Sequence, residues 1–248
     1  MLQRDVVPGV HRLHHAYVSC YLVEDDGGRL TLVDAGLPAF WPMLGRALRD
    51  LGRRPADIAA LVLTHAHFDH LGMARQLQDR FQVPIWAHEQ EHFLAAHPYR
   101  YVHETMRGIY PLRYPRAVPV LGAMARAGAL TVKGVGGARS LPSDVTLDVP
   151  GRPRVVLSPG HTFGHCALHL PDRDVLISGD ALVTLDPYTA RTGPRIIAGA
   201  ATADSAMALR SLEVLAATGA RTVLTGHGEP WRGGVAAAVD LARSAGPS

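Results

Sequence analysis

Residues Leu61 to Gly72 read LVLTHAHFDHLG, and the interpretation of the whole chain turns on them. Leu61 to Thr64 form an apolar, β-branched run of the kind a short buried strand carries. Helical spacing starts at Leu71 and continues through Met73, Ala74, Leu77 and Phe81, which predicts a helix to Phe81. His65, His67, Asp69 and His70 fall in the turn between strand and helix. In an extended backbone alternate side chains point the same way, so His65, His67 and Asp69 can share one side, with His70 swinging to an adjacent position. Three imidazoles and a carboxylate at this density suit divalent zinc or iron. A merely polar loop would be a poor alternative, because such a cluster repels itself on protonation near neutral pH.

Four further stretches place metal-ligating or acidic residues where a predicted strand runs out: Asp34 in LVDAG, His161 in SPGHTFGH, Asp180 in ISGDAL and His227 in LTGHGEP. With His-Ala-His-Phe-Asp-His, these motifs resemble those of the metallo-β-lactamase superfamily, in the same order and across nearly the whole chain. The resemblance implies a four-layer αββα sandwich, where periodicity by itself shows only layered α/β structure. It also implies a ligand set. His65, His67 and His161 would hold a first metal and Asp69, His70 and His227 a second, with Asp180 bridging both. Asp34 would support the ligands from behind, as would His165, which matches the second histidine of a G-H-T-x-G-H stretch; a core histidine is the alternative for His165. Asp69 and Asp180 are thereby the candidate catalytic carboxylates. Two divalent ions are expected, zinc first, with iron or manganese as alternatives. A hydroxide held between metals roughly 3.5–4 Å apart is the nucleophile this arrangement implies. No G-x-S-x-G elbow competes with it.

The same comparison bears on the substrate. The expected activity is hydrolysis of a carboxylic ester, thioester, lactone or amide of a small molecule, in the glyoxalase II-like or lactonase-like branch. Glyoxalase II relatives carry an extra helical region after the last histidine, whereas about one helix follows His227 here. Acyl-homoserine lactonases place Tyr three residues after the bridging Asp, where this chain has Val183, with Tyr188 nearby. Flavodiiron proteins usually have Glu where His67 stands. A phosphodiesterase or nuclease, and an iron-dependent sulfur dioxygenase, remain alternatives on the same ligands.

Composition narrows the classes. At 248 residues, 47 % apolar and 19 % charged, the chain is long and apolar enough for one α/β domain over 1–248. A net charge of +3, with Lys133 the single lysine among many arginines, gives no independent argument for nucleic acid. The two cysteines, Cys20 and Cys166, make no disulfide framework; Cys166 lies near the His161 motif but reads as core. The N-terminus lacks a signal-peptide layout and no apolar run approaches membrane-spanning length, so the expected location is cytoplasmic.

Around these motifs the pattern alternates strands and helices. Strands are predicted at Val10–His14, Tyr17–Glu24 and Arg29–Asp34, with Asp25 to Gly28 as a hairpin turn and His11, His14 and His15 on the strand surface. Helices are predicted over 38–51, 202–217 and 233–244. Further strands are expected at 83–87, 145–149, 154–157, 166–170, 175–178 and 222–225. Residues 89–141 differ: four of the seven tyrosines, Tyr99, Tyr101, Tyr110 and Tyr114, alternate there with arginines and prolines. This segment reads as an insertion that sets specificity, as a lid or a homodimer surface. Tyr110, Tyr114 and Tyr188 are the candidate substrate-pocket residues.

Overall fold

The computed structural model describes residues 1–248. Its first sheet has seven strands, paired in chain order: β1 (Leu2–Val7), β2 (Val10–His15), β3 (Val18–Glu24), β4 (Leu30–Val33), β5 (Ile58–Val62), β6 (Ile85–Ala87) and β7 (Arg139–Ser140). The first four are antiparallel, joined by tight turns, and β4 to β7 are parallel. Parallel neighbours need long crossovers. These are α1 (Phe40–Asp50), then α2 (Phe68–Leu71) with α3 (Ala74–Phe81), then α4 (His92–Ala96), α5 (Tyr110–Arg113) and α6 (Val118–Arg126). The second sheet is ordered β13-β10-β9-β8, from β8 (Arg154–Leu157), β9 (Cys166–Leu170), β10 (Val175–Gly179) and β13 (Thr222–Thr225). A hairpin of β11 (Val183–Leu185) and β12 (Thr192–Arg195) stands apart from both, and α7 (Ser205–Ala216) and α8 (Val235–Ala245) complete the chain.

Three apolar clusters show how the layers stack. Val10, Tyr21, Val33 and Val62 of the first sheet meet Val155, Leu168, Ile177 and Leu224 of the second in one core. The other face of the first sheet, with Leu22, Leu32 and Leu61, packs on Phe40, Leu44, Leu77 and Met124 from α1, α3 and α6. Behind the second sheet, Ala167, Leu176 and Val223 pack on Leu212 and Leu215 of α7 and Val239 of α8. Strands β3, β4, β9, β10 and the edge strand β13 bury residues on both faces, as sheets covered on both sides require. Helix, sheet, sheet, helix is the αββα sandwich. No helix is long and apolar enough to cross a membrane.

Several local expectations change. The helix predicted from Leu71 is split in two, because Gly72 packs directly on the backbone of Gly36 and Leu37, donating to Gly36 O at 2.6 Å. Asp69 therefore projects from α2 and does not continue an extended row with His65 and His67. Residues 145–149 form only an isolated bridge from Thr146 to Arg154, since Asp148 and Pro150 interrupt the ladder. His11 is buried and pairs with Glu24 at 3.3 Å, so it is not a surface residue. Strand β1 and the β11–β12 hairpin have no counterpart in the sequence reading. Within residues 89–141, Leu94, Ala95, Tyr101, Val120 and Met124 join the core of the first sheet, and β7 extends it.

Candidate metal centre

All the clustered histidines and aspartates leave the sandwich at one edge. Thr64, His65 and His67 follow β5, His161 follows β8, Asp180 follows β10 and His227 follows β13. Two parallel pairings, β4 with β5 and β10 with β13, point the C-terminal ends of those strands the same way. The two sheets are tied together at this edge. Cys166 N donates to Thr64 O at 2.8 Å, Ser19 N to Gly226 O at 2.8 Å, and the Tyr21 hydroxyl to Thr225 O at 2.7 Å.

Three groups of candidate ligand atoms lie within 4.8 Å of one another: His65, His67 and His161; His65, His70 and Asp180; and Asp69, His70 and His227. Every one of these residues is buried. Asp180 is central. Its Oδ2 lies 3.2 Å from His227 Nε2, 3.6 Å from His161 Nε2 and 3.9 Å from His65 Nε2, and its Oδ1 lies 3.5 Å from His70 Nε2. Asp69 Oδ2 adds a second carboxylate, 3.3 Å from His227 Nε2. The seven positions named from the sequence are therefore brought together without exception.

The outer faces of the rings are held by the protein. His227 Nδ1 donates to Tyr17 O at 2.8 Å, which leaves Nε2 turned inward. His70 Nδ1 pairs with Asp34 Oδ2 at 2.9 Å, and Asp34 also accepts from Thr64 N and Thr64 Oγ1. Asp34 reaches them from a left-handed backbone, φ 60°, a conformation Asp tolerates better than most residues. His165 supports the Asp180 turn. Its Nε2 accepts from the Asp180 and Ala181 amides at 3.1 and 3.2 Å, so the proton sits on Nδ1, which donates to Ser158 Oγ at 2.9 Å. A ring with that tautomer must stay neutral, and burial accordingly lowers its pKa to about 3.

Electrostatics divides the site in two. Burial lowers His67 to about 3 and holds His65 and His161 well below the ordinary imidazole value, where neighbouring imidazoles reinforce it. Burial would lower His227 and His70 as well, but Asp180 overcomes it, helped by Asp69 at His227 and Asp34 at His70. His227 is thereby raised to about 10, and His70 is raised well above its usual value. Burial alone would raise Asp180; His227 and His70 hold it well below the carboxylate range instead. The buried carboxylates thus pair with His70 and His227, with the neutral imidazoles of His65, His67 and His161 beside them. His65 Nε2, His67 Nε2, His70 Nε2 and Asp180 Oδ1 are buried with no hydrogen-bond partner. Buried polar atoms are normally paired, and unpaired imidazole nitrogens facing carboxylates are the donor set divalent zinc, iron or manganese takes. The residues fit such ions.

Glu91 was not singled out by the sequence. It is buried beyond the end of β6, and its carboxylate ties two ligand loops together. Oε2 accepts from Ala66 N, between His65 and His67, at 2.8 Å, and Oε1 accepts from Gly164 N at 3.0 Å. No motif spacing marks it; only the tertiary path of 88–91 brings it there. The tyrosines also arrange differently from a simple pocket. Tyr188 has its hydroxyl 3.4 Å from that of Tyr101, and the Tyr101 ring lies 4.1 Å from that of His67. Tyr110 and Tyr114 stand behind Tyr188, packed with Ala198 and Ala200, so Tyr101 is the aromatic in contact with the cluster. Cys166 is buried in the inter-sheet core and takes no place in the cluster.

An αββα sandwich with buried histidines and aspartates gathered at one edge defines a protein class, and the comparisons agree with it. Residues 16–227 match the profile of the Metallo-beta-lactamase superfamily. The chain belongs to that superfamily and is an enzyme. It is 26 % identical to a probable metallo-hydrolase, YflN, of Bacillus subtilis, over 92 % of this chain and 87 % of that one. Among solved structures it resembles the metallo-beta-lactamase family protein TTHA1429 from Thermus thermophilus, at 26 % identity and TM-score 0.68, covering 96 % of this chain and 79 % of that one. It also resembles TTHA1623, solved in a di-iron-bound form, at 25 % identity and TM-score 0.62, covering 89 % and 92 % of the two chains.

Proposed function

We propose that the chain is a hydrolase that cleaves a carboxylic ester, thioester, lactone or amide bond of a small molecule with two divalent metal ions. The observation that carries this reading is the position of Asp180, between 3.2 and 3.9 Å from four imidazoles that belong to both ligand groups. His65, His67 and His161 would hold one ion, Asp69, His70 and His227 the other, and Asp180 both. Zinc is the first candidate; the di-iron relative supports iron as the alternative. When bound, such ions supply Lewis acidity and lower the pKa of water towards about 7.

The chain's own groups do the positioning. Asp180 is oriented through its amide by His165, and its charge would offset part of the repulsion between two bound cations. Asp34 and Tyr17 O fix the rings of His70 and His227 so that their Nε2 atoms face inward. Asp69 Oδ2, 3.3 Å from His227 Nε2, would supply the carboxylate of the second ligand group. Tyr101 and Tyr188 form an aromatic wall that limits water and shapes the substrate space, with Tyr110 and Tyr114 behind them.

Metal analysis of protein purified without chelator, with a panel of ester, thioester, lactone, β-lactam and phosphodiester substrates, tests the reading. Two ions and turnover on an acyl substrate are expected. One iron with oxygen consumption would replace the hydrolase by a dioxygenase, and salt-dependent cleavage of nucleic acid by a nuclease. Asp180→Asn keeps the size but removes the bridging charge. It should weaken one ion and lower kcat at least about a hundredfold, the scale of losing one strong electrostatic element. Full turnover with two ions bound would leave Asp180 a turn residue.

A further inference from the structure

We infer that Arg107 recognises a carboxylate on the substrate, so that the acyl compounds this enzyme takes are anionic ones. This rests on the hydrolase reading above and adds the substrate's charge to it. Arg107 begins a short turn, Arg107–Ile109, in the tyrosine-rich segment. Its guanidinium carbon lies 3.9 Å from the centre of the Tyr101 ring, and its Nε donates to Ala200 O at 3.2 Å. These two contacts fix the plane of the group. Its terminal nitrogens have no hydrogen-bond partner in the protein, and no Asp or Glu lies within ion-pairing distance. Many arginines of the chain lack an acidic partner, but of those that stack on an aromatic ring only Arg107 stacks on the one that touches the ligand cluster. Arg107 is half-buried and still unpaired.

Its location gives that free charge a purpose. Tyr101, on which it stacks, also packs on the candidate ligand His67, 4.1 Å between ring centroids. The guanidinium and the His67 imidazole thus both lie against the one Tyr101 ring. A guanidinium held by stacking is already ordered and presents its remaining donors as a fork, which matches a carboxylate bidentately. One such fork, the only guanidinium stacked on the Tyr101 ring, matches the two oxygens of a carboxylate. The Tyr101 and Tyr188 hydroxyls, 3.4 Å apart, supply further polar contacts on the same wall. The bond to be cleaved would face Asp180 and the histidines while the substrate's carboxylate is held at Arg107.

Two isosteric substrates test this. The para-nitrophenyl hemiester of succinate carries a free carboxylate, and the para-nitrophenyl ester of isocaproic acid replaces it by an isopropyl group. Metal-loaded wild type should prefer the hemiester in kcat/KM by about tenfold to a hundredfold, the range of a charge-assisted hydrogen-bonded pair. In Arg107→Met that ratio should fall to about one, with most of the change in KM, and Arg107→Lys should restore part of it. The preference should also shrink as salt is raised. Metal content measured on each variant separates a lost anchor from a disturbed centre. Equal kcat/KM for the two esters in wild type, or a preference that survives in Arg107→Met, overturns the inference. If neither ester is cleaved, the hydrolase reading fails for esters and competition binding still decides. Tighter binding of succinate than of propionate that is lost in Arg107→Met supports the anchor, and equal binding removes it.

Discussion

Glu91→Gln asks how much of the metal centre depends on a residue that does not itself join the ligand cluster. The carboxylate accepts from Ala66 N at 2.8 Å and from Gly164 N at 3.0 Å, in the loops that carry His65, His67 and His161. Glutamine retains one oxygen and turns an amide NH2 towards the other backbone N–H, so one buried donor faces another donor. Leaving such a group unpaired costs about 1–3 kcal/mol. An offset exists: burial raises the Glu91 pKa despite its hydrogen bonds, and the neutral amide avoids that desolvation. We therefore predict a net loss of about 1–2 kcal/mol, or roughly 2–8 °C in Tm for a chain of this size. Glu91→Ala loses both acceptors and leaves a void, so its loss should be about 3–5 kcal/mol. The informative quantity is metal affinity. If the carboxylate holds the ligand loops in register, zinc should bind about tenfold to a hundredfold more weakly in Glu91→Gln, as for other groups that orient ligands. The stabilisation that saturating zinc adds on melting should shrink by about 1.4 kcal/mol for each factor of ten. Competition against a chromophoric chelator and paired melts with and without zinc measure both effects. A lowered Tm with wild-type zinc affinity would show that Glu91 serves the fold alone and would refute the reasoning.

Two further changes probe the same edge of the sandwich. Asp34→Ala removes the partner of His70 Nδ1 and of two Thr64 donors. We predict about a tenfold to hundredfold weaker site at His70, read as loss of one ion per chain on dialysis; retention of both ions would contradict this. Gly226→Ala would put a methyl group well inside van der Waals distance of Asp180 Oδ1 and against His70. The variant should fold, since Gly226 φ is not in the left-handed region, but should lose turnover at least about tenfold through a displaced Asp180, the lower end of what a displaced electrostatic group costs. Unchanged kcat would mean that the carboxylate has room to move.

The clustered histidines and aspartates were legible as candidates because His65, His161, Asp180 and His227 fall just past strand ends, which are marked locally by an apolar run stopping at Gly, Asp or His, while their division between two metal sites came from family resemblance. LVLTHAHFDH and LTGHGEP carry that signal within a few residues. Asp180 was legible for the same reason, at the end of the buried run Val175–Gly179. Layering could also be read, from strands and helices alternating along the chain, though the face-to-face sheets came from family resemblance. Local reading failed where distant backbone intervenes. Gly72 looked like a helical residue, and its close packing on Gly36 and Leu37 splits α2 from α3.

Tertiary structure alone decided what surrounds the ligands. Glu91 joins the loops at 66 and 164 by side-chain hydrogen bonds across long sequence separations. Tyr101, not Tyr110 or Tyr114, touches His67, because the path of residues 97–110 over the first sheet turns that ring inward. The unpaired state of Arg107 has no sequence signature at all, since a lone arginine among tyrosines and prolines reads the same whether or not a carboxylate lies opposite. Ligands are set by chemistry that only a few residue types can supply, so their identity shows in the sequence. The groups that aim them are chosen by where the folded backbone happens to pass, and any residue with a suitable donor or acceptor can serve there.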